Sequence, residues 1–210
     1  MTFVTFVLES SAAGTTAGGG YLNPWHLRRA VDALRAGGVI AYPTEGVYGL
    51  GCEPLDEEAV HRVLALKRRP RDKGLILIAA RYEQLERFVA DPDAEVMARL
   101  RATWPGPTTW LLPARRDVPS WLTGRYASIA VRVTAHPQAA ALCTRYGAAL
   151  VSTSANPAGR PPARTALAVR RYFGARLDFV LPGAVGDPRA GPTEIRDAVS
   201  ERLVRHARRP

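Results

Sequence analysis

The chain has 210 residues, of which 47% are hydrophobic, and its 29 lysines and arginines against 19 acidic residues give a formal charge of +10. This composition is typical of a globular protein with one or at most two domains, and the positive excess favours an anionic partner such as a nucleotide or a nucleic acid. The two cysteines do not have metal-type spacing, which argues against a disulfide framework and a zinc site. No apolar run approaches the ~20 residues that a bilayer requires, which argues against a membrane-spanning helix. We therefore expect a cytoplasmic protein with reduced thiols and no membrane contact.

Residues 1–22 are predicted to form a flexible tail ahead of a single catalytic domain over residues 23–210. Residues 9–20 are rich in Ser, Ala, Thr and Gly, a composition that can bury little apolar surface. The first eight residues are fairly apolar, but they lack a basic start and run into Glu9, so a secretory signal is a poor fit.

Helical and extended patterns then alternate. Asn23 and Pro24 are a good N-cap and first helical residue. Asp56 opens a second helix whose apolar positions run to Lys67, and residues 39–42 between the two helices are a short apolar run typical of a buried strand. Further helices are predicted at about 82–89, 94–103, 136–146 and 165–173, and further strands at 74–79, 108–112, 128–133, 149–152, 194–196 and 203–205.

This interleaving predicts an α/β layer fold. In open α/β sheets, ligands bind at the carboxyl ends of the strands. Residues 43–45 and 152–156 each follow a predicted strand, and Arg132 lies near the end of another. We therefore expect these three places to line one crevice.

Two polar motifs describe a polyphosphate site. Lys67-Arg68-Arg69-Pro70 closes the second helix, and Ser-Thr-Ser-Ala-Asn at 152–156 leaves a strand. Lysine supplies a point charge, arginine a planar fork that matches phosphate oxygens, and small hydroxyl and amide side chains orient the same oxygens. A basic triplet at a helix end is also typical of a solvated face favoured by the helix dipole, so the first motif alone leaves both interpretations open.

Four motifs follow one another in a fixed order. They are Tyr-Pro-Thr-Glu-Gly-Val-Tyr-Gly-Leu-Gly at 42–51, Lys67-x-Arg69-Pro70, Ser-Ile-Ala-Val-Arg-Val at 128–133, and Ser-Thr-Ser-Ala-Asn at 152–156. Together they resemble the YrdC family, with similarity from about Trp25 to Arg205. The resemblance implies a single α/β domain with a twisted, open, mixed sheet, flanking helices and a basic central cleft.

The same resemblance implies a reaction. L-threonine, bicarbonate or carbon dioxide, and ATP give threonylcarbamoyl-adenylate and pyrophosphate, with Mg²⁺ held mainly by the phosphates. Downstream transferase proteins then pass the threonylcarbamoyl group to adenosine 37 of tRNA. Such chemistry needs positioning and charge neutralisation rather than a side-chain nucleophile.

Roles for eleven residues are implied by their match to the family's motifs. A catalytic tetrad would grip the phosphates and the acyl-adenylate, a second group would contact the nucleotide, and a third would bind L-threonine, with Arg132 facing its carboxylate. No residue is expected to bind a metal. The tetrad is Lys67, Arg69, Ser154 and Asn156; the further ATP contacts are Lys73, Ser128 and Arg205; the threonine contacts are Thr44, Arg132, Ser152 and Thr193.

The chain departs from the family's pattern in three places. Gly-Leu-Ile-Leu-Ile at 74–78 lacks a histidine that longer relatives carry there. Arg205-His206-Ala207 replaces an Arg-x-Gly, and Thr193 stands where relatives usually have serine. Local roles also stay open, because Thr44 could serve a turn after Pro43 and the serines of 152–156 could satisfy loop backbone groups.

Two other functions are compatible with parts of the sequence. A non-catalytic protein that binds double-stranded RNA, tRNA or rRNA would use the positive charge, but that function leaves Thr44, Arg132 and the serine cluster unexplained. A carbamoyl-adenylate enzyme that uses carbamoyl phosphate would share the motifs, although such enzymes are usually larger chains with added modules.

Overall fold

The computed structural model describes residues 22–206. Within them, nine strands form one sheet in the order β7-β1-β2-β6-β3-β5-β4-β8-β9. The expected tail lies outside the described residues except for Leu22. The strands are β1 (Ile40–Pro43), β2 (Tyr48–Gly51), β3 (Ile76–Ala79), β4 (Thr109–Pro113), β5 (Ser128–Val133), β6 (Leu150–Ser154), β7 (Phe179–Val180), β8 (Ile195–Asp197) and β9 (Leu203–Arg205).

The sheet is mixed and has helices on both faces. Strand pairs β1/β7, β3/β5 and β4/β8 are parallel, and the other neighbours are antiparallel. The expected α/β class, with an open mixed sheet flanked by helices, is therefore confirmed. The α-helices are α1 (Pro24–Arg35), α2 (Glu57–Lys67), α3 (Ala94–Thr103), α4 (Ser120–Thr123), α5 (Pro137–Tyr146) and α6 (Ala166–Phe173), and short 3-10 helices lie at Arg71–Lys73, Tyr82–Gln84 and Gly174–Arg176.

Alternation along the strands divides the core into two parts. Ile78 and Leu150 pack with α1 and α5 on one face of the sheet. Leu77 and Val151, the adjacent residues, pack on the opposite face with α2, α3, α4 and α6. Successive strand residues point to opposite faces, so each strand stabilises both layers. Helices α1 and α5 cover only part of their face, and the remainder carries the site described below.

Helix α2 brings a basic residue to the edge of that uncovered area. Asp56 caps its first turn, with Oδ1 accepting from the backbone N–H of Ala59 at 2.9 Å. Its last residue is Lys67, and Arg68 then adopts a left-handed conformation with φ of 51°. The Arg68 N–H returns to the carbonyl of Ala65, which ends the helix and redirects the chain.

Replacing Asp56 with alanine is expected to lower the free energy of unfolding by about 1 kcal/mol, because the first turn loses its side-chain acceptor. Urea unfolding followed by circular dichroism measures the change. Asp56→Asn is the matched control, since asparagine caps helices about as well, and it should stay close to the wild type. Equal losses in both variants would contradict a capping role.

One predicted helix, 82–89, is wrong. The segment contains only the 3-10 turn Tyr82–Gln84, and Val89 instead forms an isolated antiparallel bridge with Ala114. Leu85, Phe88 and Val89 are buried as a helical stripe would be. However, the N–H of Ala90 donates to the carbonyl of Pro113 at 2.8 Å, so pairing with the end of β4 replaces the local helical bonds.

Membrane-spanning helices, metal sites and the state of the cysteines can be examined in the structure only over the residues that it describes. Over residues 22–206, no helix is long and apolar enough to cross a bilayer. Nor does any cluster of three or more His, Cys, Asp or Glu side chains there have the arrangement of a metal site. Cys52 and Cys143 are free and buried, and burial raises the pKa of Cys143 to about 12.

Candidate active site

A cleft of about 460 Å³ lies on the part of the sheet face that α1 and α5 leave uncovered. Its floor is a row of residues in register across four strands: Leu111, Ala130, Ile76 and Ser152. The sequence had indicated a crevice at the carboxyl ends of the strands. The three places do line one cleft, but the reason expected for it is wrong: β1 and β6 run in the same direction, whereas β5 runs the opposite way and its carboxyl end lies at the other edge of the sheet.

All the residues singled out in the sequence line this one cleft. Basic side chains stand among them, and within residues 22–206 no aspartate or glutamate lines the cleft. The eleven residues are Thr44, Lys67, Arg69, Lys73, Ser128, Arg132, Ser152, Ser154, Asn156, Thr193 and Arg205.

Lys67 is buried at one end of the cleft and holds the loop after β6. Its Nζ donates to the carbonyls of Ser154 and Asn156, the latter at 3.0 Å, and also to Asn156 Oδ1 at 3.3 Å. All of these acceptors are neutral, so in the part of the chain that the structure describes no carboxylate is hydrogen-bonded to the buried ammonium. Burial, together with the positive charge of Arg69, lowers the pKa of Lys67 to about 8.

Arg69 lies on the same side and is fixed by backbone carbonyls. Its Nη2 donates to the carbonyls of Lys73 at 3.2 Å and Gly74 at 2.9 Å. Burial lowers the pKa of its guanidinium. Ser154 completes this end, with Oγ donating to Asn156 Oδ1 at 2.7 Å. Two cations and two small polar side chains are therefore held together, and their hydrogen-bond partners within residues 22–206 include no anionic side chain.

Arg132 occupies another part of the cleft and is only 4% exposed. Its Nη1 donates to Thr193 Oγ1 at 2.7 Å and to Thr109 Oγ1 at 3.2 Å. Its Nη2 lies 3.2 Å from Glu45 Oε2. Arg205, the last residue of β9, donates to the carbonyl of Thr193 at 2.7 Å, so it stabilises the residue that orients the guanidinium.

Thr44 and Ser152 face each other across a glycine. Thr44 Oγ1 donates to the carbonyl of Val47 at 2.7 Å, so the hydroxyl does serve the turn between β1 and β2. A Cβ on Gly49 would lie 3.2 Å from Ser152 Oγ and 3.4 Å from Thr44 Cγ2. Glycine at position 49 therefore leaves room for the side chains of Thr44 and Ser152, which a Cβ there would crowd.

The remaining sequence-derived residues lie toward the open side. Lys73 is exposed and Ser128 is half-buried. Tyr126, 48% exposed, lines the cleft beside Ser128, and the sequence reasoning did not identify it. The sequence signal that could have indicated Tyr126 as a cleft residue is its position close to Ser128. An isolated aromatic residue in a loop, however, indicates no particular role.

Glu45 is the second residue that sequence reasoning missed. Its carboxylate lies against Arg132 and accepts from Thr134 Oγ1 at 2.6 Å and from the backbone N–H of Ala135 at 3.2 Å. Burial opposes its ionisation, but the Arg132 charge and the Thr134 hydrogen bond outweigh burial, so the pKa of Glu45 lies below the usual value. Its position beside Thr44 in the 42–51 motif was the available signal.

Curated relatives match most of the chain. Threonylcarbamoyl-AMP synthase of Nitrosococcus oceani is 59% identical over 181 residues, which cover 86% of this chain and 97% of the relative. The protein of the same name from Cellvibrio japonicus is 54% identical over 184 residues, covering 88% of this chain and 96% of the relative.

Solved structures share the fold. The structure of P. abyssi Sua5 complexed with L-threonine is 34% identical with a TM-score of 0.81, over 90% of this chain but only 56% of that longer chain. E. coli YciO is 26% identical with a TM-score of 0.76, over 90% of this chain and 93% of that one. The family model named Sua5_yciO_yrdC and described as "Telomere recombination" matches residues 32–208. The chain therefore belongs to the Sua5/YciO/YrdC family.

Proposed function

We propose that this chain is a threonylcarbamoyl-AMP synthase, a nucleotidyltransferase that makes L-threonylcarbamoyladenylate from L-threonine, bicarbonate or carbon dioxide, and ATP. The observation that carries the proposal is one cleft that holds a cationic cluster around Lys67 and a separately oriented guanidinium, Arg132. The first suits polyphosphate and the second suits an amino-acid carboxylate. The relatives named above, more than half identical to this chain, support the same activity.

In the first step the neutral amine of threonine attacks the carbon of carbon dioxide. An N–C bond forms, which gives a carbamate. From carbon dioxide one amine proton leaves to solvent; from bicarbonate the C–OH bond breaks and the amine proton leaves with that hydroxide as one water molecule. Arg132 would bind the threonine carboxylate, and Thr44, Ser152 and Thr193 would surround the rest of the amino acid. The contribution of these residues is to fix the amine next to the carbon.

In the second step a carbamate oxygen attacks the α-phosphorus of ATP. The bond between that phosphorus and the bridging oxygen to the β-phosphate breaks, and pyrophosphate leaves. Lys67, Arg69 and Lys73 would neutralise the charge that develops on the phosphate oxygens, while Ser154 and Asn156 orient them. Ser128 and Arg205 would contact the nucleotide. Electrostatic stabilisation of this kind carries most of the barrier reduction in phosphoryl transfer.

Mg²⁺ belongs to the proposal as a partner of the nucleotide. The described residues that line the cleft offer hydroxyl and amide oxygens but no carboxylate, a donor set that fits a cation held through phosphates and water. Bound in that way, Mg²⁺ would offset part of the triphosphate charge.

The proposed product, L-threonylcarbamoyladenylate, would be used in tRNA modification. Threonylcarbamoyl transfer to adenosine 37 of tRNA would be completed by downstream transferase proteins in the cytoplasm. Direct contact with tRNA is a further part of the proposal, supported by the formal charge of +10, and such contact would weaken steeply with added salt.

The affinity for ATP is expected to fall as the pH rises through about 8, because Lys67 loses its proton there. Phosphates nearby will raise that midpoint, so the fall is measured from about pH 7 to about pH 10 by calorimetry with a non-hydrolysable ATP analogue. In Lys67→Arg the guanidinium stays charged over this range and the fall should disappear. Lys73→Ala should keep it. A dissociation constant that does not change with pH in the wild type would contradict the assignment.

Pyrophosphate release tests the function directly. The purified protein is supplied with ATP, Mg²⁺ and bicarbonate, and with L-threonine, L-serine or no amino acid. Release that requires both L-threonine and bicarbonate is expected. If folded protein releases no pyrophosphate under these conditions, the synthase proposal fails and the RNA-binding alternative becomes the better one.

A further inference from the structure

The buried guanidinium of Arg132 needs a compensating charge. Its side chain is 5% exposed and that of Glu45 is 14% exposed, and the two approach to 3.2 Å. An isolated buried charge is strongly unfavourable, so an ion pair at this depth is stable only where its geometry is well fixed. Arg132 lines the cleft, and the orientation of its fork therefore decides how an anionic substrate group can be received.

Glu45 is anchored independently of Arg132. One carboxylate oxygen, Oε1, accepts from Thr134 Oγ1 and from the N–H of Ala135, both just after β5. Its backbone carbonyl accepts from the N–H of Asp187 at 2.7 Å, in the connection that runs from β7 to β8 and carries Thr193. Glu45 thus joins the β1–β2 turn, the end of β5 and this connection.

The Arg132 guanidinium is held at both of its terminal nitrogens. Thr109 and Thr193 accept from Nη1, and the Glu45 carboxylate faces Nη2. Among the described residues, Nε of Arg132 and Oε2 of Glu45 are buried and have no hydrogen-bond partner. Buried polar groups in native proteins are nearly always paired, so part of the hydrogen-bonding capacity of this ion pair is left for another group.

We infer that Glu45 is a positioning residue for the amino-acid substrate: anchored by Thr134 and Ala135, it fixes the plane of the Arg132 guanidinium that receives the substrate carboxylate. Glu45 acts through Arg132 and touches no reacting atom. The inference rests on the proposed function, which gives the amino acid to this part of the cleft. It adds a positioning determinant, because a fork held in one plane can receive a carboxylate through two parallel hydrogen bonds in one defined orientation.

The test is Glu45→Gln, which keeps the shape of the side chain and its acceptor for Thr134 but removes the charge opposite Arg132. The KM for L-threonine is expected to rise by about tenfold or more, as for the loss of one charge-assisted contact, while the KM for ATP changes less than about threefold. Calorimetric binding of L-threonine without ATP should weaken by the same factor. An unchanged threonine requirement would overturn the inference.

A charge-matched control separates positioning from general loss of structure. Glu53→Gln removes another partly buried carboxylate, one that accepts from Tyr146 Oη and does not line the cleft, and it should leave both KM values unchanged. Should Glu45→Gln fail to fold in circular dichroism, Glu45→Asp replaces it, since the shorter side chain withdraws the charge from Arg132. A rise in the KM for threonine is again expected, and no rise would overturn the inference.

A double-mutant cycle shows whether Glu45 acts through Arg132. In an Arg132→Gln background, adding Glu45→Gln should change threonine binding by less than about twofold. The same large penalty in both backgrounds would mean that Glu45 acts independently of Arg132 and would overturn positioning. Failure of the proposed function looks different, since the wild type itself would then show no threonine-dependent pyrophosphate release.

Discussion

Lys67→Met is expected to lower kcat/KM for ATP by about 100-fold or more, which is the usual loss when one preorganised electrostatic contact to a transition state is removed. Lys67 is the buried cation among Ser154 and Asn156, and its contacts within the protein are neutral carbonyl, amide and hydroxyl oxygens. The charge is therefore available to phosphate. Methionine keeps most of the aliphatic stem and its packing, while the charge and the hydrogen bonds from Nζ to Ser154 and Asn156 are lost together. Pyrophosphate release as a function of ATP concentration is the measurement.

Arg71→Ala is the matched control for this experiment. Arg71 lies in the same basic stretch, in the 3-10 turn Arg71–Lys73, but is exposed and does not line the cleft. Its removal should change kcat/KM for ATP by less than about twofold, as for most surface charges. Equal losses in both variants would indicate that only the overall positive charge matters. Near-normal turnover in Lys67→Met would remove the lysine from the mechanism.

Local sequence signals predicted the elements that carry the phosphate end. Asn23 caps α1 through Oδ1 and Asp56 caps α2, as their positions before each apolar stripe indicate. Because helix geometry is set by neighbours a few residues apart, the placement of Lys67 at the end of α2 also follows from the pattern. The alternation of Ser128, Ala130 and Arg132 on one side of β5 is equally local.

The sheet order and the location of the cleft could not be predicted in this way. Strand β2, Tyr48–Gly51, contains two glycines and lies inside a motif, so its pattern gave no strand signal, yet it separates β1 from β6. Pairings such as β4 with β8 join segments far apart in the chain. These non-local contacts turn the expected crevice at the strand ends into a cleft on the sheet face.

The partner of Arg132 illustrates the same limit at the level of one residue. A charged residue in an apolar strand predicts a functional or paired group, and the sequence indicated Arg132 on that basis and by its motif. It did not identify Glu45, because the two are separated along the chain by the whole of β2 to β4 and are joined only by the three-dimensional fold. The tertiary contact, rather than either local pattern, sets the geometry of the amino-acid end.

Arg132→Lys is expected to raise the KM for L-threonine by about tenfold to 100-fold while leaving the KM for ATP within about threefold. Lysine keeps the charge that compensates Glu45, so the fold is retained, but a single ammonium cannot bond Thr109 and Thr193 and still present a planar fork to a carboxylate. Full removal in Arg132→Ala should give a larger threonine defect, with loss of stability because Glu45 is left buried without a counter-charge. Initial rates at varied threonine and saturating ATP measure the first effect, and urea unfolding measures the second.

Arg99→Lys serves as the control, because Arg99 is also a partly buried arginine but lies outside the cleft. Its guanidinium donates to the carbonyl of Ala198 at 2.8 Å and pairs with surface glutamates. It should leave both KM values unchanged. Equal rises in the KM values for ATP and threonine in Arg132→Lys would mean that the guanidinium supports the structure of the whole cleft and does not act on one substrate. A selective threonine defect, together with a smaller defect of the same kind in Glu45→Asp, would instead assign the carboxylate of the amino acid to Arg132, because only that substrate group needs the fork that Glu45 and Thr193 hold in place.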